Sequence, residues 1–185
     1  SEIDLNQLSF GISGGFYQNQ LDETAFTQPD PIVGGNVQRA SYFNMEIGAS
    51  YNYLNLFSHF TVKNALPPEN DLYTHVETTN RRKYLLSAGY VFGESDRLQW
   101  EPSILFQYGD FTKEKAVDLN LKLYKDVDFG KIWGALSYRR ALDSAEYELN
   151  GTTNTQTLQY FTPVVGLNYN QFMFAYTYSH LFGDV

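Results

Sequence analysis

The stretch Arg97–Tyr124 reads RLQWEPSILFQY, GDFTKEKA and VDLNLKLY. In its first and last parts apolar residues occupy alternate positions, as Trp100 and Ile104 do in the first and Leu119 and Leu121 in the last. Because successive side chains of a β-strand point to opposite faces, each part predicts a strand with one apolar and one mostly polar face. The polar residues between the two parts predict the connection of a hairpin.

The same alternation recurs nine times along the chain. The runs are Leu8–Tyr17, Tyr42–Tyr53, Leu56–Asn64, Tyr84–Phe92, Leu98–Tyr108, Val117–Tyr124, Lys131–Arg140, Phe161–Tyr169 and Phe172–Tyr178. No convincing helical run lies between them, which disfavours a parallel βαβ architecture. The pattern indicates an all-β fold, an antiparallel transmembrane β-barrel with about nine strands present.

The predicted connections alternate in length. Short turns fall at Tyr53–Asn55, Gly93–Asp96, Lys125–Gly130 and Asn170–Gln171, and long loops at Gln18–Ala40, Asn64–Arg81 and Ala141–Gln156. Gly109–Glu114 is the exception, because it is short where a long loop is expected. Short turns at one end and long loops at the other are typical of an outer-membrane barrel, with the short turns toward the periplasm.

Charged residues within the predicted strands are also expected to lie on only one of the two faces. We expect six charged residues to point into the lumen, and none to lie on the outward positions within the strands. The six are Glu46, Lys63, Glu101, Asp118, Lys122 and Arg139. An Arg or Lys on the lipid face costs about 2–4 kcal/mol at mid-bilayer. A soluble sandwich could also expose its polar face to water, but the Tyr- and Phe-rich faces are too extensive for a small core, which favours the barrel.

Composition agrees with this reading. Aromatic residues make up 17% of the 185 residues, and 15 of them are Tyr, which suits a boundary between apolar and wet surroundings. The net charge of -8 and the lack of a basic run disfavour nucleic-acid binding. The absence of cysteine excludes a disulfide scaffold. A mean hydropathy of -0.38 is compatible with a barrel, whose strands spend half of their residues on the lumen.

Several short pieces of the chain stand out by their order and spacing. They are Ala88–Phe92, Leu98 followed by Pro102-Ser103, Asp118–Asn120, Trp133-Gly134, Ser137–Arg139, Val165-Gly166 and Tyr176–Tyr178. With these pieces the chain resembles the PorP/SprF-like outer-membrane proteins of the Bacteroidetes type IX secretion system. The order and spacing of the pieces carry the resemblance, which covers most of the chain. An expected N-terminal Tyr/Arg/Trp segment and a last strand with a Ser-His-Glu-like ending are absent, and the Tyr-Ser-Tyr-Asp pattern appears as Tyr176–His180.

The resemblance implies a barrel related to the fatty-acid transporter type. It implies an outer-membrane component of type IX secretion or gliding that binds or anchors a secreted adhesin through its C-terminal signal domain. The implied partners are outer-membrane lipid, that secreted protein and other type IX secretion components. Because single-chain bacterial barrels have even strand numbers, we expect residues 1–185 to form one β-barrel domain that is incomplete at both ends. The alternative is an outer-membrane pore for small hydrophobic molecules.

Two groups of residues are the candidate sites. The six lumen charges are expected to form salt bridges within a filled lumen, and a permeation path or a plug contact is the alternative. Pro102 and Pro163 lie inside predicted strands, where each removes a ladder hydrogen bond. We expect a bulge at one or both, which would make them weak points of the barrel wall that serve a partner strand or lateral passage. The alternative is a bulge that the wall tolerates and that has no function.

Catalytic and metal chemistry is not expected. Gly11–Gly15 fits the G-x-S-x-G pattern around Ser13, but that motif needs a strand–turn–helix context. His59, His75 and His180 have no recognised ligand spacing. A Glu101–Asp118 carboxylate pair is discounted for want of any sign of a short separation. We therefore expect no enzyme activity, no cofactor and no metal. Residues 143–145 resemble a short O-glycosylation motif.

Overall fold

The computed structural model describes residues 6–24, 36–66, 81–94, 97–143, 145–149 and 152–182, and all of its regular elements are β-strands. The strands are β1 (Asn6–Asp22), β2 (Val37–Tyr53), β3 (Leu56–Lys63), β4 (Lys83–Tyr90), β5 (Gln99–Gly109), β6 (Lys115–Val127), β7 (Gly130–Ala141), β8 (Ala145–Leu149), β9 (Thr152–Gln156), β10 (Gln159–Tyr169), β11 (Phe172–Thr177) and β12 (His180–Phe182). No helix in these ranges has the length and apolar character needed to cross a bilayer.

One antiparallel sheet contains all strands except β8 and β9, which pair with each other. Its order is β1-β2-β3-β4-β5-β6-β7-β10-β11, and β12 also pairs with β10. Both β11 and β12 keep the same register against β10, with Val164 opposite Thr177 and Phe161 opposite His180. They therefore form one interrupted strand, so the sheet has nine strand positions. The predicted all-β antiparallel fold with about nine strands is confirmed.

The sheet has two chemically different faces. On the apolar face, cross-strand rows join residues such as Ala88, Ile104, Leu119 and Tyr138. Large apolar side chains on this face are exposed, with Phe10 at 77%. Exposed apolar surface of this extent marks a face that meets lipid or a partner. Within the described residues no second sheet packs on it.

The opposite, polar face carries rows of small and charged residues. One row joins Gly89, Ser103, Asn120, Ser137 and Thr162 across five strands. Such a row cannot form a dry core, because its hydroxyl and amide groups require hydrogen-bond partners. The predicted division of the strands into an apolar and a polar face is therefore present in the structure.

Several strands are longer than predicted. Strand β1 continues to Asp22 and β2 begins at Val37, inside the predicted loop Gln18–Ala40, and β6 continues to Val127. Sheet pairing uses backbone groups, so a ladder continues after the apolar alternation has stopped. As a result, four charged residues outside the predicted runs stand on the apolar face near strand ends. Arg140, at the end of the predicted run Lys131–Arg140, is a fifth, so the expectation of no charge on the outward positions is wrong. The five are Asp22, Arg39, Lys115, Lys125 and Arg140.

The connections alternate in length as predicted. Tight turns at residues 54–55, 128–129 and 170–171, with the connection 91–98, form the short-turn end. At the opposite end of the sheet the connections cover positions 23–36, 64–82, 110–114 and 142–158, of which 110–114 is short, as predicted. We call this the long-connection end. The predicted loop Ala141–Gln156 contains the β8–β9 hairpin, and residues 67–80 of another predicted loop lie outside the described residues.

Local hydrogen bonds and backbone angles define the strand ends. Leu54 and Asn170 have positive φ angles of 52° and 51° in their turns. At the other end of the sheet, Asp22 accepts hydrogen bonds from the backbone N–H and hydroxyl of Thr24, at 3.0 and 2.6 Å. These two bonds hold the pKa of Asp22 below its ordinary value.

Candidate functional site

A bidentate ion pair lies on the polar face, where β6 and β7 run side by side. Asp118 stands directly opposite Arg139, and Asn120 stands opposite Ser137. Arg139 donates from Nε and Nη2 to the two carboxylate oxygens of Asp118, at 2.6 and 2.7 Å. The fork geometry of the guanidinium matches the carboxylate. Two of the sequence pieces that carried the family resemblance are thus cross-strand partners.

The two members of this pair differ in solvent exposure. The side chain of Asp118 is 9% exposed and that of Arg139 is 43% exposed. A carboxylate shielded from water needs a hydrogen-bonded opposite charge. Because Arg139 supplies that charge from the neighbouring strand, the pair favours the register that places Asp118 opposite Arg139. Arg139 also faces Tyr160 of β10. The pair therefore anchors the polar face near the long-connection end.

A second polar row lies nearer the short-turn end. Lys122 stands opposite Glu101, but its ammonium group lies over the rings of Tyr124 and Trp133, at 5.0 and 5.7 Å. These distances fit cation–π contacts. Lys122 is four residues from Asp118 along β6, which corresponds to about 13 Å at the rise of a strand. The two carboxylates of Glu101 and Asp118 are therefore not a closely spaced pair.

The remaining two predicted lumen charges lie on other strands. Glu46 of β2 stands opposite Ser13, and Lys63 of β3 stands opposite Lys83. The structure thus joins Asp118 with Arg139, places Glu101 and Lys122 in one row, and leaves Glu46 and Lys63 outside both clusters. Lys63 and Lys83 are like charges in direct cross-strand contact, which is unfavourable without an anion nearby.

Sequence reasoning missed the packing of Trp133 on Gly166. The two residues are cross-strand partners, and a Cβ atom at residue 166 would lie 2.2 Å from the indole ring. Trp133 Nε1 also donates to Asn168 at 3.1 Å. Both residues occur in quoted sequence pieces, but only the β7–β10 register shows that the ring covers the glycine.

Polar contacts also fix the long-connection end. Asn44, only 3% exposed, donates to Asn64, which donates in turn to the carbonyl of Arg81, at 2.6 and 2.9 Å. Arg82 donates to the carbonyl of Ala65 at 3.0 Å. No sequence motif marks these contacts, because they depend on which loop residues come together.

A cavity of about 350 Å³ opens at the same end, and we call it the mouth cavity. It lies among β5, β6, β7 and β10, and Arg139 forms part of its lining. Other lining residues are Gln107, Glu114, Lys115, Leu158 and Tyr160. It therefore offers charged, hydrogen-bonding and apolar groups together, which suits a peptide segment better than a purely apolar ligand.

Pro102 interrupts the pairing of β5 with β4. Phe92 and Trp100 exchange two backbone hydrogen bonds, at 2.8 and 3.1 Å, and Gly89 faces Ser103 in the same register. Hydrogen-bonded pairs alternate along an antiparallel ladder, so residue 102 would donate the next bond to Tyr90. Proline has no N–H, and that bond is missing. The register does not shift, so the predicted bulge is wrong at this position.

Pro163 interrupts the pairing of β10 with β11 and β12. Tyr178 donates its N–H to the Pro163 carbonyl at 3.1 Å, but proline cannot return the bond. The break between β11 and β12 falls at this point, again without a change of register and so without a bulge. Pro102 and Pro163 lie in one cross-strand row, joined through Leu121 and Leu136. We call these two interrupted positions, Pro102 against Tyr90 and Pro163 against Tyr178, the proline seams. Between them the strands β5, β6, β7 and β10 are paired without interruption.

The catalytic and metal motifs find no supporting context. Ser13 lies inside β1 opposite Glu46, far from any strand–turn–helix elbow. Within the described ranges, no group of three or more His, Asp or Glu side chains could hold a metal ion. His59 contacts the hydroxyl of Ser87 at 3.3 Å and stacks on Phe57. His75 and Ser144 lie outside the described residues.

An antiparallel sheet with an exposed apolar face and a hydrogen-bonded polar face belongs to the class of membrane β-barrel walls. Comparison with protein families identifies which one. The family described as type IX secretion system membrane protein PorP/SprF matches residues 2–184, and the chain belongs to that family. It is therefore a membrane component of type IX secretion. Neither the curated proteins nor the solved structures contain a match to the chain.

Proposed function

We propose that this protein is an outer-membrane component of the secretion machinery that binds a secreted substrate through the substrate's C-terminal domain. Membership of the secretion family supports a role beside other secretion components. The apolar face supports placement in a bilayer, and the alternation of short and long connections favours long connections outside the cell. The substrate then meets the long-connection end, and the protein acts by binding, without catalysis.

The mouth cavity is the observation that carries this proposal. It opens at the long-connection end and combines the Arg139 guanidinium with Glu114, Tyr160 and Leu158. The Asp118 pair holds Arg139 in place, so the lining is organised before a partner arrives. Preorganised groups lose less entropy when they bind. A peptide segment or loop of a folded domain fits such a lining.

Capture of the secreted partner tests the proposal. Full-length protein in detergent is incubated with an immobilised C-terminal domain from a secreted substrate of the same cell. We expect wild type to be captured and Glu114→Lys, which reverses a charge at the mouth cavity, to be captured several-fold less. Glu94→Lys makes the same charge change at the exposed short-turn end and is the matched control. Equal capture of the two variants would refute binding at the mouth cavity.

Passage of small hydrophobic molecules is the competing function. It predicts uptake of a fluorescent fatty acid into proteoliposomes, together with no capture of the C-terminal domain. Wild-type protein that transports the fatty acid and ignores the domain would replace the first proposal with the second.

We also propose that the two proline seams are the weak points of the wall. Each seam lacks one backbone hydrogen bond, whereas the panel between them, β5-β6-β7-β10, is continuously paired. A strand pair that lacks a bond opens at lower cost. Disulfides placed beside each proline, at Val91 with Glu101 or at Thr162 with Ser179, cross the seams while both prolines stay in place and test this. Slower substrate capture after oxidation, restored by reduction, supports opening, and unchanged capture argues against it.

A further inference from the structure

Some cations of the sheet pair with a carboxylate and others do not. On the polar face Arg139 pairs with Asp118 and Lys131 pairs with Asp126 at 3.2 Å, while Lys63 stands opposite Lys83. On the apolar face, Lys115 and Arg140 have no side-chain ion pair or hydrogen bond within the residues described. Both side chains are exposed. Two exposed cations thus stand at the border of an apolar surface without a side-chain partner among the described residues.

Lys115 and Arg140 are also close to each other. Arg140 stands opposite Val117, and the Leu142 N–H donates to the Lys115 carbonyl at 2.8 Å, which places residue 115 opposite residue 142. Lys115 and Arg140 are therefore diagonal cross-strand neighbours, at about 7–8 Å between Cα atoms. Their side chains can converge on one group of atoms. We call this pair the rim pair.

Among the described residues, no neighbouring acid makes an ion pair with the rim pair. Asp143 accepts a hydrogen bond from the Lys115 backbone N–H at 2.8 Å, and its carboxylate makes no ion pair with the Lys115 ammonium. Asp110 is engaged with Arg82 and Lys113. The contrasting case on the same face is Arg39, whose diagonal neighbour is the acidic Asp22. Like charges in the rim pair repel each other, so an external anion would relieve the repulsion.

The surroundings of the rim pair indicate a membrane interface. Tyr108 stands opposite Lys115 and stacks with Tyr84 at 6.2 Å, and Tyr138 donates its hydroxyl to Gln159 at 2.7 Å. Tyrosines with an apolar ring and a polar tip occupy the level of lipid headgroups. The apolar cross-strand rows of β6 and β7, such as Leu121 opposite Leu136, lie on the side of the rim pair that faces the short-turn end. An anion bound here would therefore sit where a bilayer has its headgroups.

We propose that the rim pair binds the phosphate of a lipid headgroup in the leaflet at the long-connection end. This rests on the proposed placement of the apolar face in a bilayer. The lipid's acyl chains lie along the exposed apolar rows that contain Leu119 and Leu136, while Lys115 and Arg140 hold the phosphate. Arg presents a fork that matches phosphate, and Lys adds a point charge. The bound lipid thereby seals the wall beside the mouth cavity, which Lys115 also borders.

Lipid titration of the full chain tests the proposal. Detergent-solubilised protein is titrated with phosphatidic acid, or with diacylglycerol, which lacks the phosphate, as the reference, and bound lipid is counted by native mass spectrometry. A cation near an anionic lipid surface contributes a factor of about five in affinity. We therefore expect Lys115→Ala/Arg140→Ala to bind phosphatidic acid about 25-fold more weakly than wild type. Lys125→Ala, at the opposite end of the apolar face, is the matched control and should bind as wild type does.

The outcomes separate this proposal from the others. Unchanged phosphatidic acid binding in the double variant, or an equal loss in Lys125→Ala, would overturn it. Displacement of the lipid by an equal concentration of inorganic phosphate would also overturn it, because the ligand would then be the free ion. The titration contains no secreted substrate, so it can fail while capture of the C-terminal domain succeeds. Arg140→Ala alone, which leaves the mouth cavity intact, should weaken lipid binding and leave that capture unchanged.

Discussion

The Asp118–Arg139 pair allows an asymmetric prediction about stability. Arg139→Ala leaves behind a carboxylate whose side chain is 9% exposed, whereas Asp118→Ala leaves a guanidinium that is 43% exposed. Water solvates the freed guanidinium more readily than the freed carboxylate, because more of the guanidinium side chain is already exposed. Breaking a buried pair costs about 3–5 kcal/mol when the remaining charge stays buried. Each lost charge-assisted hydrogen bond costs about 1.5–3 kcal/mol in general.

From these figures we expect Arg139→Ala to lower the free energy of unfolding by about 3–5 kcal/mol. Asp118→Ala should cost about 2–3 kcal/mol, because solvation of Arg139 offsets part of the two lost bonds. The double variant should cost less than the sum, with a coupling energy of about 2 kcal/mol between the two residues. The asymmetry is the informative part, since it follows from burial and not from the bond lengths.

Urea unfolding of the reconstituted chain, followed by tryptophan fluorescence, measures these free energies. Lys131→Ala with Asp126→Ala is the control cycle, because that pair joins the same two strands but has side chains 39% and 45% exposed. An exposed pair couples by about 0.2–1 kcal/mol. Equal costs for Asp118→Ala and Arg139→Ala, or coupling no larger than in the control cycle, would refute the reasoning.

Three further substitutions test the wall and its turns. Gly166→Val should destabilise the fold by about 1–3 kcal/mol in the same urea assay, because the new Cβ atom would meet the Trp133 ring. Adding Trp133→Ala to this variant should remove most of the destabilisation. Leu54→Asn should stabilise the fold by about 0.5–1 kcal/mol, since Leu54 has a φ of 52° that Asn tolerates better, and an unchanged or lower midpoint would count against strain in this turn. Pro102→Thr should supply the missing ladder bond and stabilise by about 0.5–1.5 kcal/mol, with slower amide exchange at Phe92 and Trp100, whereas faster exchange there would contradict the assigned pairing.

Sequence periodicity predicted the strands and faces because it reflects burial directly. The alternation around Ile104 and Leu119 gave the face of each residue, and a register shift by one residue would have exposed Asp118 on the apolar face. The strand ends were less predictable. Polar residues such as Asp126 and Gln20 continue the ladder through backbone bonds, which periodicity does not register.

The candidate site was predictable only in part. Charge sorting placed Asp118 and Arg139 on the same face, but their pairing depends on the β6–β7 register. The row that joins Pro102 with Pro163 depends on three successive registers, so no local sequence pattern contains it. The cations on the apolar face were missed for two reasons. The predicted runs began after Arg39 and Lys115 and ended before Lys125, and the outward position of Arg140, at the end of the run Lys131–Arg140, was overlooked.

The central claim is that lipid contacts the apolar face of the sheet. The two tryptophans of the chain lie on different faces, so they test this claim separately. Trp100 lies on the apolar face and is 48% exposed, while Trp133 lies on the polar face against Gly166. The chain is reconstituted in bilayers that contain brominated lipids, as Trp133→Phe to observe Trp100 and as Trp100→Phe to observe Trp133. We predict strong bromine quenching of Trp100 and little quenching of Trp133. Aqueous acrylamide that quenches Trp100 freely, with no effect of the brominated lipid, would contradict the account.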